Sequence, residues 1–255
     1  MLARDYGKTI ENCLFLVGDN CSTNRRLATL LGVPLVGCAS HRLNLAAQNL
    51  LEDFKDELDQ VKKLMIKLKG LNQSAKLRFK TKLRPVLSQA TRWSSTLCMV
   101  NRYMKLLEFI QDDDDLAEYL PPPSANRTLR KLLEDLKKIE SVSKELQSES
   151  VSIADVRCYF DALIALWPGF ATYLGKIYCF YTGVKKRRKT TAPRTVYTLL
   201  QAIPPTSNTV ERFFSVAKAT LGLQLHLLQP ATLEMVLFLR VNNALWDANA
   251  VNACC

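Results

Sequence analysis

An amphipathic helical repeat is the sequence feature that most limits the folds open to this chain. From Ser40 to Lys69 apolar side chains recur at intervals of three and four residues, which predicts one long amphipathic helix. Similar repeats run from Thr91 to near Asp112 and from Arg127 to about Gln147, and Ser152-x-x-Asp155 has the pattern of a capping box. Each such helix needs another element to cover its apolar face, so we predict a predominantly helical globular protein.

The first forty residues follow a different pattern, with two short strands on either side of a helix. The apolar run Cys13 to Val17 ends at Gly18-Asp19-Asn20, and a second strand is predicted from roughly Pro34 to Cys38. The helix between them is predicted to start at a cap made by Ser22 or Thr23. Short connections in this order favour parallel strands and place Asp19 at the carboxyl end of a central strand, where α/β folds locate their chemistry. The predicted fold class is therefore α/β, predominantly helical.

Composition excludes several classes of protein. A chain of 255 residues that is 48% apolar buries enough surface to fold, so disorder is not expected to dominate. No apolar run approaches the roughly 18 to 20 residues that cross a bilayer, and no membrane partner is expected. The eight cysteines form no CxxC pair, which argues against a disulfide framework and a structural zinc site. A net charge of +11 favours a polyanionic partner such as DNA.

Charged residues are concentrated in three segments. Between Val61 and Arg84 there are nine Lys or Arg and no acid, which fits a solvated helix face and a phosphate-contacting surface equally well. As phosphate contacts we select Lys62, Lys63, Lys67, Lys69, Lys185, Lys186, Arg187 and Arg188. The last four belong to a predicted loop that is a candidate nuclear import signal or nucleic acid contact, with a merely solvated loop as the alternative. The acidic run Asp112 to Asp115 lacks the spacing of a calcium loop and is interpreted as solvent-facing charge.

The last fifty residues predict two helices, of which the second is apolar almost all round. Asn208 as N-cap places Glu211 in the first turn of one helix, and Pro230 suits the first turn of the other. Because so apolar a helix has to be covered on several sides, we favour a partner subunit over coverage by the chain's own domain. The predicted dimer interface comprises Leu233, Val236, Leu237, Phe238, Val241 and Trp246.

Four short motifs follow one another along the chain. They are Gly18-Asp19-Asn20 with Asn24, Cys38-x-x-His41-x-x-Asn44, Arg92-Trp93, and Ser207-x-x-x-Glu211-Arg212-x-Phe214-Ser215. The final apolar helix with Asn242 and Trp246 follows them. Taken together, they resemble the catalytic region of hAT (hobo/Activator/Tam3) transposases, and the resemblance covers nearly the whole chain.

The resemblance implies a partial ribonuclease H-like fold with a helical insertion and C-terminal dimerisation helices. On this basis residues 1–100 are assigned to a partial ribonuclease H-like core and residues 101–200 to the helical insertion. Residues 201–255 are assigned to the end of the core and the hAT dimerisation region. The resemblance also implies a nuclear protein that binds DNA and forms homodimers, or heterodimers with hAT-like proteins. A cytoplasmic location is the alternative.

The family cleaves and transfers DNA strands with two aspartates and a glutamate. By resemblance, Asp19 matches the second aspartate and Glu211 the glutamate, and both would bind Mg²⁺ or Mn²⁺. Cys38 and His41 match a CxxH pair near the active site. Ser207 and Phe214 belong to the last motif. Arg92 and Trp93 match a pair that contacts DNA, in which the tryptophan helps to hold a flipped base.

Simpler interpretations of the same residues stay open. Asp19 also suits a turn after a strand, and Glu211 a capping-box carboxylate. Cys38 and His41 also suit packing and local hydrogen bonding, and Trp93 suits a core aromatic. These alternatives involve no DNA and no metal.

The family's first catalytic aspartate lies on the first strand of its sheet, whereas only 18 residues precede Asp19 here. Since two carboxylates bind Mg²⁺ less well than three, we expect little or no strand-transfer activity. We favour a truncated or domesticated transposase-like protein that keeps DNA binding and dimerisation. One alternative is the C-terminal part of an active DDE-type transposase whose N-terminal part is not in this chain. The other is a non-catalytic protein-interaction module.

Overall fold

The structure, a computed structural model, describes residues 7, 9–148, 150–175, 203–222 and 229–242. The chain divides into two compact units, Met1–Thr206 and Ser207–Cys255. The described part is predominantly helical, as predicted. None of its helices combines the length and the apolar content that a bilayer crossing requires.

The first unit begins with two short strands and continues with helices. Its strands and α-helices, in chain order, are β1 (Leu16–Gly18), α1 (Ser22–Leu31), β2 (Leu35–Gly37), α2 (Ala39–Glu52), α3 (Lys55–Lys69), α4 (Leu71–Lys80), α5 (Trp93–Ile110), α6 (Pro123–Glu145), α7 (Ile153–Leu166) and α8 (Ala171–Leu174). Short 3₁₀ helices cover Ile10–Asn12, Asp114–Tyr119 and Pro168–Phe170. The predicted capping box opens α7, since Ser152 and Asp155 exchange their side-chain to backbone hydrogen bonds.

The two strands pair in parallel, as the short connections predicted. Leu16 lies opposite Leu35 and Gly18 opposite Gly37. Within the described residues the sheet has only these two strands and β1 pairs with β2 alone, so its predicted central position stays a prediction. Asp19 nevertheless follows directly after β1, at the edge where both strands end.

Helix α1 starts from a different cap than predicted. Cys21, not Ser22 or Thr23, occupies the N-cap position, and its Sγ accepts a hydrogen bond from the backbone N–H of Asn24 at 3.4 Å. Cys21 has the extended backbone that an N-cap requires, whereas Ser22 is already helical. The helix ends at Gly32, whose φ of +67° is the left-handed conformation that glycine adopts without steric cost.

The single long helix predicted from Ser40 to Lys69 is wrong. The structure divides this segment into α2 and α3, because the backbone leaves the helical conformation at Phe54, with φ of −117° and ψ of 17°. Phe54 packs against the core at the bend, and Asp56 and Glu57 occupy the first turn of α3, where acidic side chains favour a new helix start. Both helices face the same core, so the apolar repeat continues across the break.

Helices α2 to α7 enclose one hydrophobic core. Every one of them contributes fully or nearly fully buried side chains, among which Tyr103 and Phe160 are the largest. The boundary that we assigned at residues 100 and 101 falls inside α5, and α5 and α6 share this core. A smaller cluster of Val36, Ile153 and Ile203 packs beside the strands.

Tyr103 supplies a test of this core. Its side chain has no exposed surface, and its hydroxyl donates to Oδ1 of Asn126 at 2.5 Å. Burial raises the pKa of Tyr103 to about 12. Since an unfolded tyrosine ionises near pH 10, the stability that Tyr103 contributes is complete below that pH and is lost as the pH rises to about 12.

We therefore predict that the free energy of unfolding falls by roughly 2–3 kcal/mol more between pH 10 and 12 in the unchanged protein than in Tyr103→Phe. Urea unfolding at each pH measures the difference. Lysine side chains also lose protons in this pH range, but they do so in both proteins. Their effect on the free energy of unfolding therefore cancels when the two proteins are compared. Parallel declines in the two proteins would contradict the prediction.

The second unit contains α9 (Asn208–Leu221) and α10 (Pro230–Val241). The two helices contact each other, and Nη1 of Arg240 donates to Oγ1 of Thr220 at 2.8 Å. Pro230 opens α10, as predicted. The predicted cap at Asn208 is wrong by one residue, because Ser207 occupies the N-cap position and Asn208 is already helical.

Candidate functional site

Asp19 and Asn24 form the centre of the candidate site. The side-chain amide of Asn24, on α1, donates to Oδ1 of Asp19 at 2.6 Å and to the carbonyl oxygen of Asp19 at 3.2 Å. A Cβ atom at position 18 would lie 3.0 Å from the same amide nitrogen, so Gly18 leaves the space that this contact needs. The first motif is therefore a single hydrogen-bonded unit that fixes the carboxylate at the end of β1.

The surroundings of Asp19 favour its ionised form. A hydrogen bond from the side chain of Cys21 has the largest effect and lowers the pKa of Asp19, while partial burial opposes it. The backbone of Cys21, the nearby imidazole of His41 and the amide of Asn24 lower the pKa further. The carboxylate is thus negatively charged at neutral pH, which is the state in which it can bind a cation.

The second motif lies at the same edge of the sheet. The N–H of Cys38 donates to the carbonyl of Gly18 at 2.7 Å, which joins the end of β2 to the end of β1. Cys38 is buried, while His41 is half-buried in the first turn of α2 and close enough to Asp19 to affect its pKa. The structure therefore brings the CxxH pair next to the aspartate.

The third motif is joined to the second through α2. Oδ1 of Asn44 accepts a hydrogen bond from the backbone N–H of Trp93 at 3.4 Å. The indole of Trp93 is only 5% exposed and belongs to the helical core, which is the placement expected of a core aromatic. Arg92 is exposed at the N-cap of α5. Their contact with DNA stays a prediction.

The fourth motif lies in the second unit. Glu211 and Phe214 are exposed on α9, and Ser207 stands at its N-cap. Asp19 belongs to the first unit, so the pairing of Asp19 with Glu211 around a metal stays a prediction. Among the residues that the structure describes, no three His, Cys, Asp or Glu side chains are grouped as metal ligands.

The four selected lysines of α3 lie on its exposed face. Lys62, Lys63, Lys67 and Lys69 are all exposed, whereas the apolar side chains between them are buried in the core. The ammonium group of Lys67 lies 4.9 Å from the centre of the Tyr119 ring. The other basic cluster, Lys185, Lys186, Arg187 and Arg188, lies outside the described residues.

Sequence reasoning missed a contact between two of the charged segments. Lys76 forms an ion pair with Asp115, and Nζ of Lys80 lies 4.0 Å from a carboxylate oxygen of Asp113. The acidic run is therefore partly engaged by α4 instead of facing only solvent. Two adjacent runs of opposite charge are the signal that could have suggested it.

The predicted dimer residues differ in their exposure. Leu237 is buried, and Leu233 and Val236 are half-buried. Phe238 is 54% and Val241 56% exposed, and the neighbouring Met235 and Leu239 are exposed as well. Trp246 lies outside the described residues. Helix α10 thus carries exposed apolar side chains around one buried leucine.

Comparison of the sequence with protein-family models and with curated proteins gives no match. The resemblance to hAT transposases therefore rests on the motif residues and their arrangement.

Proposed function

We propose that this chain is a hAT transposase-like protein that binds DNA and dimerises, with little or no strand-transfer activity. The observation that carries the proposal is the linkage of three motifs in the first unit. Asn24 binds Asp19, Cys38 binds the strand end that precedes Asp19, and α2 carries both His41 and the Asn44 that binds the backbone of Trp93. These three motifs, which were selected by their order in the sequence, are thus also neighbours in space.

The proposed fold is a partial ribonuclease H-like core with a helical insertion. The parallel pair β1 and β2, joined by α1, supports a core of this type, since Asp19 follows a strand at the edge where α/β folds place their chemistry. Within the described residues, the proposed insertion contains the end of α5, the helices α6, α7 and α8, and two short 3₁₀ helices.

The proposed reaction chemistry is limited by the number of carboxylates. In a two-ion mechanism, clustered carboxylates hold Mg²⁺ ions that activate the attacking group and stabilise the leaving oxygen. Asp19 would contribute one ionised carboxylate to such a site and Glu211 a second. The family's remaining aspartate has no assigned counterpart, which is why we propose binding without efficient strand transfer.

A nicking assay on supercoiled plasmid, with Mg²⁺ or Mn²⁺ present, tests this function. The unchanged protein is compared with an Asp19→Ala, Glu211→Ala variant and with an Asp59→Ala, Glu118→Ala control that removes two exposed acids elsewhere. We expect all three proteins to bind the plasmid and none to nick it.

Two other outcomes of this assay would each favour a different function. Nicking that is lost only in the Asp19 and Glu211 variant would support an active transposase and overturn the inactive one. Absence of both binding and nicking would leave the non-catalytic interaction module.

A further inference from the structure

Helix α4 exposes apolar side chains that contribute nothing to the core. Phe79 is 93% exposed and Leu71 is 88% exposed, and Ile66 on α3 is 53% exposed. Leu77, two residues before Phe79, is buried and faces the core, so Phe79 lies on the opposite side of the helix. A phenyl ring in this position gains no burial from the fold, which suggests that its function lies in contact with another molecule.

The segment of the chain that contains Phe79 is strongly basic. The segment from Val61 to Arg84 has nine basic side chains and no acidic one. Of these, Lys76 and Lys80 are engaged by the acidic run. The other seven are exposed, and none forms an ion pair with a described acidic residue: Lys62, Lys63, Lys67, Lys69, Arg78, Lys82 and Arg84.

The acidic run, Asp112 to Asp115, determines from which side of α4 a polyanion can approach Phe79. Asp112 to Asp115 line an open hollow together with Lys76, Phe79 and Lys80. The four carboxylates outnumber the two lysines, so the hollow is negatively charged and repels phosphates. Arg78 directly precedes Phe79, Lys82 follows it by three residues, and neither lines this hollow. Phosphates would therefore contact these two residues.

We propose that the exposed face formed by α3, α4 and the residues that follow α4 binds single-stranded nucleic acid, with Phe79 stacking on a base and Lys69, Arg78 and Lys82 contacting phosphates. The proposal deepens, and rests on, the proposed DNA binding. Aromatic rings next to basic side chains are the usual elements of single-strand binding, since every base offers a face for stacking. Bases in a duplex are already stacked on each other, so Phe79 gains little there.

A second copy of the chain is a weaker candidate for the occupant of this face. In a pair of such faces the seven exposed basic side chains of one copy would oppose those of the other, and this repulsion opposes self-association. A polyanion meets the same charges with attraction and releases its bound counterions. Charge complementarity therefore favours the nucleic acid.

The test measures the affinity of the full chain for fluorescein-labelled oligothymidylate and for a labelled duplex by fluorescence anisotropy. Phe79→Ala is expected to weaken oligothymidylate binding by about five- to hundredfold, with duplex affinity unchanged within about twofold. Phe79→Trp restores the stacking ring and is expected to restore binding. Leu166→Ala, which truncates an exposed apolar side chain on α7, is the matched control and should leave both affinities unchanged.

The outcomes separate this inference from the proposed function. If the unchanged protein binds the duplex and Phe79→Ala alters neither affinity, the single-strand surface is refuted while DNA binding stands. If the unchanged protein binds neither probe, both proposals fail. If Phe79→Ala leaves both affinities intact and changes the sedimentation coefficient, the face contacts a second copy and the inference is wrong. Because Phe79 is so exposed, its removal leaves the core intact, which a thermal melt verifies.

Discussion

Replacing Lys62, Lys63, Lys67 and Lys69 together with alanine is expected to weaken the proposed binding to duplex DNA by roughly a hundredfold or more near physiological salt. The four side chains are exposed on α3, where they can approach phosphates without rearrangement. Each phosphate contact that is lost reduces the magnitude of the negative slope of log affinity against log salt concentration by about 0.9. The slope should therefore become shallower by up to roughly 3 to 4. The loss should be similar for unrelated sequences, because phosphate contacts carry no sequence information.

A second variant with the same change in net charge shows whether position matters. Lys131, Lys137, Lys138 and Lys144 are exposed on α6, where Glu134, Asp135, Glu140 and Glu145 give the helix mixed charge. Alanine at these four lysines should reduce the affinity much less than the α3 variant. Anisotropy titrations from 50 to 200 mM salt, over which phosphate-dependent binding changes most, provide the measurement. Equal losses in the two variants would mean that net charge alone drives binding and that α3 is not the contact surface.

Helix faces were predictable from the sequence because burial of apolar side chains has the period of the helix. Leu43, Val61 and Leu129 have the spacing of apolar helix faces within the predicted repeats, and all three are buried. The bend at Phe54 was not predictable in this way, since the residues on both sides of it pack into the same core. The spacing of apolar residues identifies which face of a helix is buried. It does not show where one helix ends and the next begins.

Cap identity was less predictable than the position of the helices. Near Cys21 and near Ser207 several adjacent residues can accept the first backbone hydrogen bond, and the cap is the residue whose backbone lies just outside the helix. That backbone conformation depends on the preceding turn, which the sequence pattern does not specify. The predicted cap is therefore one or two residues late at Cys21 and one residue late at Ser207.

The candidate site was predictable only in part. The strand and turn pattern placed Asp19 at the end of β1, but the hydrogen bond from Asn24 depends on where α1 lies relative to that strand. The pairing of Lys76 with Asp115 joins residues far apart in the sequence, which local periodicity cannot detect. The exposure of Phe79 had a usable signal, because a residue two positions from a core leucine lies on the opposite side of a helix.

We expect Phe238→Asp to dissociate the proposed dimer and to raise its dissociation constant at least about tenfold. Phe238 is more than half exposed on α10 beside other exposed apolar side chains, so it is available to a partner chain. An unpaired charge placed in an apolar contact costs more than the lost contact alone. Leu237 would be a poor choice for the same test because it is buried, and aspartate there would damage the fold of the chain itself.

Thr232→Asp is the matched control, since it adds the same charge at an exposed position of α10 without removing an apolar side chain. Sedimentation equilibrium should show that this variant remains dimeric while Phe238→Asp does not, and thermal melts should show both to be folded. A dimer that survives Phe238→Asp would place the interface on another surface, and the exposed apolar side chains of α10 would then need a different partner. A monomeric unchanged protein would contradict homodimerisation directly. It would leave a heterodimer with an hAT-like protein as the form of association that this helix can support.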